Sequence, residues 1–169
     1  SPTFLDLAKT KDGNVVLMAK NVAASTALIK KISGVSDFTF KAKVQPLKIN
    51  ARSGLFVRGD YNTGYGYYFF IDGVNGNRWQ ILKIGLVDKV AVMTILKNGM
   101  ISNFAVDKDQ PLWLKAELKG SSLKFFISMD NKSYTLLGEA VDSEFKEGGV
   151  GISVYDSGVT MFDEMEFTQ

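Results

Sequence analysis

Apolar and polar residues alternate with a period of two along almost the whole chain, and this limits the fold more than any other feature. Phe38, Phe40, Ala42 and Val44 fall on one side of Asp37–Val44. Leu112, Leu114, Ala116 and Leu118 do the same around Trp113, Lys115 and Glu117, and Val150, Ile152 and Val154 alternate with Gly151 and Ser153. Successive side chains of a strand point to opposite faces, so each stretch reads as a strand with one face buried. Turn chemistry separates the stretches at Lys11–Asn14, Asp72–Asn77, Lys97–Gly99, Lys119–Ser121, Asp130–Asn131 and Glu147–Gly149. Gly and Asn supply the positive φ angles of tight hairpins. These signals recur roughly every 8–15 residues, and no amphipathic helix fits between them. About a dozen strands must close as a barrel or pack as two sheets. Strands this numerous and long favour an all-β, two-sheet antiparallel β-sandwich of jelly-roll type.

At 169 residues the chain suits one domain, residues 1–169, with no internal repeat or linker. Pro46 and Pro111 sit where strands begin or end. The net charge of +2 gives no electrostatic case for nucleic acid. No apolar run approaches the roughly 18 residues of a membrane span, so no membrane partner is expected. There is no cysteine, which excludes disulfides, thiolate zinc and cysteine nucleophiles. There is no histidine, so a Ser-His-Asp triad cannot form and the commonest general base is missing. Ser1-Pro2-Thr3 opens no signal peptide. The expectation is a module of a longer, secreted bacterial protein with its export signal upstream.

The densest chemistry lies in Gly54–Asp60 and Gly64–Asp72. With Leu55 and Val57 turned to the core, alternation places Phe56, Arg58 and Asp60 on the opposite face. Arg58 and Asp60 then form a charged pair beside several tyrosines, Tyr65 among them. Sugars are held this way: aromatic rings stack on apolar sugar faces, and guanidinium and carboxylate groups hydrogen-bond hydroxyls. The same pattern also fits a surface strand with a salt bridge. Tyr67, Phe69 and Ile71 share one face, Tyr68 and Phe70 the other, and one set must be core. Trp79 is either a ligand platform or a sheet-packing residue. Glu117 accepts sugar hydroxyls if its sheet is concave and faces solvent if not. Gly149 and Gly151 either open a groove ending at Tyr155 and Asp156 or relieve a β-bulge. Glu164 and Glu166 have the spacing of a glycosidase acid pair, but flanking Phe162 and Phe167 mark a last strand with solvated acids. Asp107 and Asp109 are scattered rather than clustered. Asp163 is a candidate ligand for a structural calcium at the sandwich rim. Gly64-Tyr65-Gly66 lacks the lysine and helix of a phosphate loop.

The run of motifs resembles the concanavalin A-like, laminin-G-like sandwich superfamily. It covers Asp37–Val44, Ser53–Asp60, Gly66–Asp72, Arg78–Ile84, Trp113–Ser121, Gly148–Tyr155 and Met161–Phe167. Within it the chain looks most like the fructan-binding carbohydrate-binding modules of bacterial levanases. That resemblance implies a non-catalytic pocket for a terminal fructose, with Arg58 and Asp60 as polar groups and Glu117 and Tyr155 beside them. It implies no required cofactor, and a polysaccharide and a covalently linked catalytic domain as partners. Hydrolases and adhesion modules share the fold, so fold alone does not decide among them.

Overall fold

The structure, a computed structural model, describes residues 8–9, 15–18, 25–29, 32–47, 52–72, 77–103, 105–106, 110–155 and 159–169. The turns expected at Lys11–Asn14 and within 73–76, and Asp107, Asp109 and Asp156, lie outside the described residues. The described strands are β1 (Ala8–Lys9), β2 (Val15–Met18), β3 (Ser25–Leu28), β4 (Phe38–Pro46), β5 (Arg52–Gly59), β6 (Gly66–Asp72) and β7 (Arg78–Val87). They continue with β8 (Val90–Met100), β9 (Leu112–Lys119), β10 (Ser122–Ser128), β11 (Thr135–Val141), β12 (Gly149–Tyr155) and β13 (Val159–Thr168). Seven form one sheet in the order β1-β2-β13-β4-β9-β10-β11, and six form the other in the order β3-β12-β5-β6-β7-β8. Neighbouring strands run antiparallel throughout, for example β4 with β9 and β5 with β6. The chain is the two-sheet antiparallel β-sandwich that its alternation predicts.

The core lies between the sheets. Phe38, Phe40, Ala42, Val44, Leu112, Leu114, Ala116 and Leu118 face inward from the seven-stranded sheet. Leu55, Val57, Tyr67, Phe69, Ile71, Val150, Ile152 and Val154 meet them from the six-stranded sheet. Each fully buried large aliphatic or aromatic side chain contributes about 1.5–3 kcal/mol, so period-two patterning fixes the architecture energetically. Phe125 of β10 takes the rings of Phe69 and Trp79 edge-on, at centroid distances of 5.3 and 6.3 Å. The hydroxyls of Ser53 and Thr160, one from each sheet, satisfy each other at 2.6 Å.

A second cluster forms on the outer face of the six-stranded sheet from Phe56, Tyr68, Phe70 and Leu82. Phe56 and Tyr68 stack at 4.5 Å, and the Tyr68 hydroxyl donates to the Gly64 carbonyl at 2.6 Å. Burial pushes the Tyr68 phenol well above its ordinary pKa. Both aromatic sets of β6 are therefore buried, not one, because β6 lies mid-sheet between β5 and β7 with an apolar cluster on each face.

Candidate functional site

The β5–β12 ladder pairs Arg52 with Tyr155 through Val57 with Val150, then skips Arg58 and pairs Gly59 with Gly149. Arg58 is the extra residue of a β-bulge, with φ at +46°, in the left-handed region. A bulge re-aims the side chain it carries. Instead of facing outward beside Phe56, the Arg58 side chain is only 1% exposed. Its Nε and Nη2 donate to the Ser36 carbonyl at 2.9 and 2.8 Å, and Nη1 donates to the Phe145 carbonyl at 3.1 Å. Nη2 also lies 3.6 Å from Asp37 Oδ1. Burial lowers the guanidinium pKa from its ordinary value, against the opposing pull of Tyr67 and Asp37. The pair expected between Arg58 and Asp60 does not form, and the guanidinium serves protein carbonyls. Arg58 ties the segment before β4 to the segment before β12.

A second network holds the β11–β12 connection. The Tyr67 hydroxyl donates to Asp142 Oδ1 at 2.6 Å and accepts the Phe145 N–H at 3.1 Å. Lys83 Nζ sits 2.6 Å from Asp142 Oδ2 and 2.7 Å from Glu144 Oε2. The Phe145 ring meets Tyr67 edge-on at 5.2 Å. Burial, then donation to the Asp142 carboxylate, pushes the Tyr67 phenol up to about 12. Burial alone draws Asp142 upward, but the bonds from Lys83, Tyr67 and the Glu144 N–H outweigh it and hold the carboxyl below its ordinary value. Burial likewise draws Lys83 downward, and its two carboxylate partners raise it on balance.

Between these anchored segments opens a cleft of about 830 Å³. Its walls are the stretch following β3, the β5–β6 turn and the residues leading into β12. Leu28, Ile29, Ile32 and Phe145 give it an apolar surface, and Asp60, Tyr61, Asn62, Tyr65 and Glu147 supply rings and polar groups. The Asp60 N–H donates to the Tyr65 carbonyl and the Gly64 N–H to the Asp60 carbonyl, both at 2.9 Å, which closes the turn. One Asp60 carboxylate oxygen accepts the Asn62 N–H at 2.7 Å. Its other oxygen and the exposed Glu147 carboxylate have no partner among the described residues. Gly148 lets the wall close up: a methyl there would lie 2.4 Å from the Arg58 carbonyl carbon. Gly149 lines the cleft at the bulge, whereas Gly151 admits β3, since its added carbon would lie 2.1 Å from the Ala27 carbonyl oxygen. Aromatic faces beside unpaired carboxylate oxygens are suited to a polyhydroxylated ligand.

Of the described candidates from the sequence, the structure brings Arg58, Asp60 and Tyr65 to this cleft, with Gly149 in its wall, and leaves Trp79, Glu117, Tyr155 and Asp163 apart. Trp79 is 4% exposed and packs in the core, so it offers no platform. Its edge-on contact with Phe125 and close approach to Gly99 and Gly138 make it a sheet-packing residue. Glu117 lies on the seven-stranded sheet, paired with Lys115 at 2.9 Å, beside a separate groove of about 480 Å³. Tyr155 lies on the outer face of the six-stranded sheet under the Arg52 guanidinium, 4.3 Å from its ring centre, and packs on the second cluster. Asp163 accepts the Glu164 N–H at 2.7 Å, and among the described residues no group of three acids gathers around a common point. Glu164 is held by Trp113 Nε1 at 3.0 Å and Lys43 at 3.1 Å, and these bonds, Trp113 first, keep its carboxyl below the usual range. Glu166 pairs with Lys41 at 2.9 Å. Tyr61, Asn62, Phe145 and Glu147 were not singled out in the sequence; their one signal is position in turn segments beside Asp60 and Gly148.

No protein-family profile and no curated protein sequence matches the chain. Solved structures with the same sandwich architecture do. The carbohydrate-binding module CBM66 from Bacillus subtilis superposes with a TM-score of 0.75 at 21% identity, over 96% of this chain and 90% of that one. A Bacillus subtilis protein with a galectin-like fold gives 0.69 at 12% identity, over 94% and 83%. The exoplasmic/lumenal domain of VIP36, bound to calcium and Man3GlcNAc, gives 0.65 at 10% identity, over 92% and 78%. The GH43 protein BlXynB from Bacillus licheniformis gives 0.62 at 13% identity, with 92% of this chain matching 33% of that one. At these identities the likeness is one of fold.

Proposed function

We propose that this chain is a non-catalytic carbohydrate-binding module that holds a sugar in the cleft beside Asp60 and Tyr65. The observation that carries the reading is the cleft itself. It joins the Tyr61 and Tyr65 side chains, an apolar floor and two carboxylates with unpaired oxygens. Its volume of about 830 Å³ lies within the roughly 300–1,000 Å³ of small-ligand sites. Sugars as the ligand class are supported by the shared fold of a carbohydrate-binding module and of a glycan-bound VIP36 domain. Walls on three sides suit the end of a chain better than its middle. The finer reading is a levan-type fructan bound at its terminal fructose, which rests on the chain's overall resemblance to fructan-binding modules. In that setting the module belongs to a secreted glycoside hydrolase, and linkage raises the enzyme's effective concentration at the polymer.

The test is isothermal titration of the domain against levan, inulin, xylan and β-glucan, beside an assay for reducing-sugar release. Binding to fructans without product, and its loss in Asp60→Ala, is the expected result. Silence across the panel, or binding to xylan alone, would overturn the fructan reading, and product release would overturn the non-catalytic one.

A further inference from the structure

The β7–β8 hairpin carries apolar surface that sugar binding does not use. β8 ends the six-stranded sheet, so one side of its backbone from Val90 to Met100 has no neighbouring strand among the described residues. Edges of this kind are ordinarily blunted by lysines, prolines or short length. β8 is eleven residues long, has no proline and carries a single charge, Lys97. Leu86, Val87, Val90, Ile95 and Met100 are each between 48% and 63% exposed. Among the described residues, the other large apolar side chains this exposed, Tyr61, Leu136 and Val141, lie on other segments, whereas these five share one hairpin. It also continues a buried surface. Ile95 lies opposite Leu82 and Met93 opposite Ile84, so the second aromatic cluster runs out to the free edge.

We propose that this hairpin is the contact between two copies of the chain, β8 of one lying antiparallel beside β8 of the other. Antiparallel pairing of identical strands is two-fold symmetric, so each copy's free N–H and C=O groups meet their complements and the contact closes at two. Charge permits it. Pairing about Thr94 sets each Lys97 opposite Ala91 of the other copy, so no like charges meet. Five half-exposed apolar side chains and a strand edge would bury on the order of 500–600 Å² per copy, near the lower end of specific interfaces. The dimer is therefore a reversible one. β8 stands apart from β5 with β6 and β7 between them, so both clefts stay open on the joined sheet. Bivalent capture of a polymer then follows, a consequence that rests on the sugar reading while the pairing itself does not.

Sedimentation equilibrium of the full chain from low micromolar to near-millimolar concentration tests this. The mass is expected to rise from one chain to two. Ile95→Lys and Val90→Lys, made separately at exposed positions, are expected to weaken association at least tenfold, with the melting temperature at monomeric concentration and the titration by a short oligosaccharide unchanged. A one-chain mass at every concentration would overturn the proposal. So would a dimer indifferent to both substitutions, or open-ended growth beyond two chains. Failure of sugar binding in an intact dimer would bear on the cleft alone.

Discussion

Replacing Arg58 separates a contact residue from a structural one. The guanidinium donates three hydrogen bonds to two backbone carbonyls, of Ser36 and Phe145. Charge-assisted bonds of this kind contribute roughly 1.5–3 kcal/mol each in mutational series. The Asp37 pair adds little, because its carboxylate is 56% exposed and screened. Water from the open cleft can reach the freed carbonyls and return part of the loss. Methionine keeps most of the apolar stem, and the strain at φ +46° weighs on Arg and Met alike. The expected cost of Arg58→Met is therefore about 3 kcal/mol, or roughly 6–12 °C in melting temperature for a domain of this size. Arg58→Lys keeps the charge but cannot fork to two carbonyls, and should fall between. Calorimetry gives the melting shift and titration the affinity. A variant that melts within about 1 °C of the parent yet binds no sugar would refute the reasoning, since a surface residue gripping a ligand behaves that way.

Asp60→Ala should do the opposite. Its side chain is exposed and holds one backbone N–H, so stability should move by under about 0.5 kcal/mol while affinity falls at least tenfold, about 1.4 kcal/mol. Gly148→Ala should lower stability by about 1–3 kcal/mol in urea titration, because its methyl meets the Arg58 backbone at 2.4 Å; an unchanged midpoint would remove that close approach from the account. The Tyr67–Asp142–Lys83 network sets a pH window. Asp142 is depressed in the fold, so its contribution is complete above the ordinary aspartate value of about 4 and is lost as pH falls through the lower folded value. Lys83 is raised, so its contribution is complete below about 10 and is lost as pH climbs past the folded value. Hydrogen exchange at the Phe145 amide, corrected for its intrinsic rate, should stay slow across neutral pH and quicken only as pH falls below the ordinary aspartate range, and a flat profile would show that Asp142 does not hold this segment.

The contrast between β4 and β5 shows what period two can reveal. Phe38 through Val44 alternate buried and half-buried as their sequence dictates, because an unbroken ladder keeps each side chain on its face. The same rule holds along β5 up to Val57 and then fails at Arg58, where one extra residue in the ladder changes its facing. Nothing in Gly54–Asp60 announces the bulge, since it arises from the register against Gly149 and Val150, far along the chain. The misplacement of Trp79 and Glu117 has another cause. Alternation tells which residues share a face but not which face closes on the other sheet, and only the strand order resolves that. Tyr61, Asn62 and Glu147 lie in turns, where no periodicity operates. Their meeting depends on Arg58 and Tyr67 drawing two distant segments together. In this fold, then, the residue whose chemistry most suggests a ligand in the sequence is the one that builds the walls. The groups that line the cleft around it are those the pattern cannot rank. The search for a sugar contact in a sandwich of this kind properly begins with the exposed turn carboxylates flanking a buried arginine, and Asp60 and Glu147 are where it should be tried.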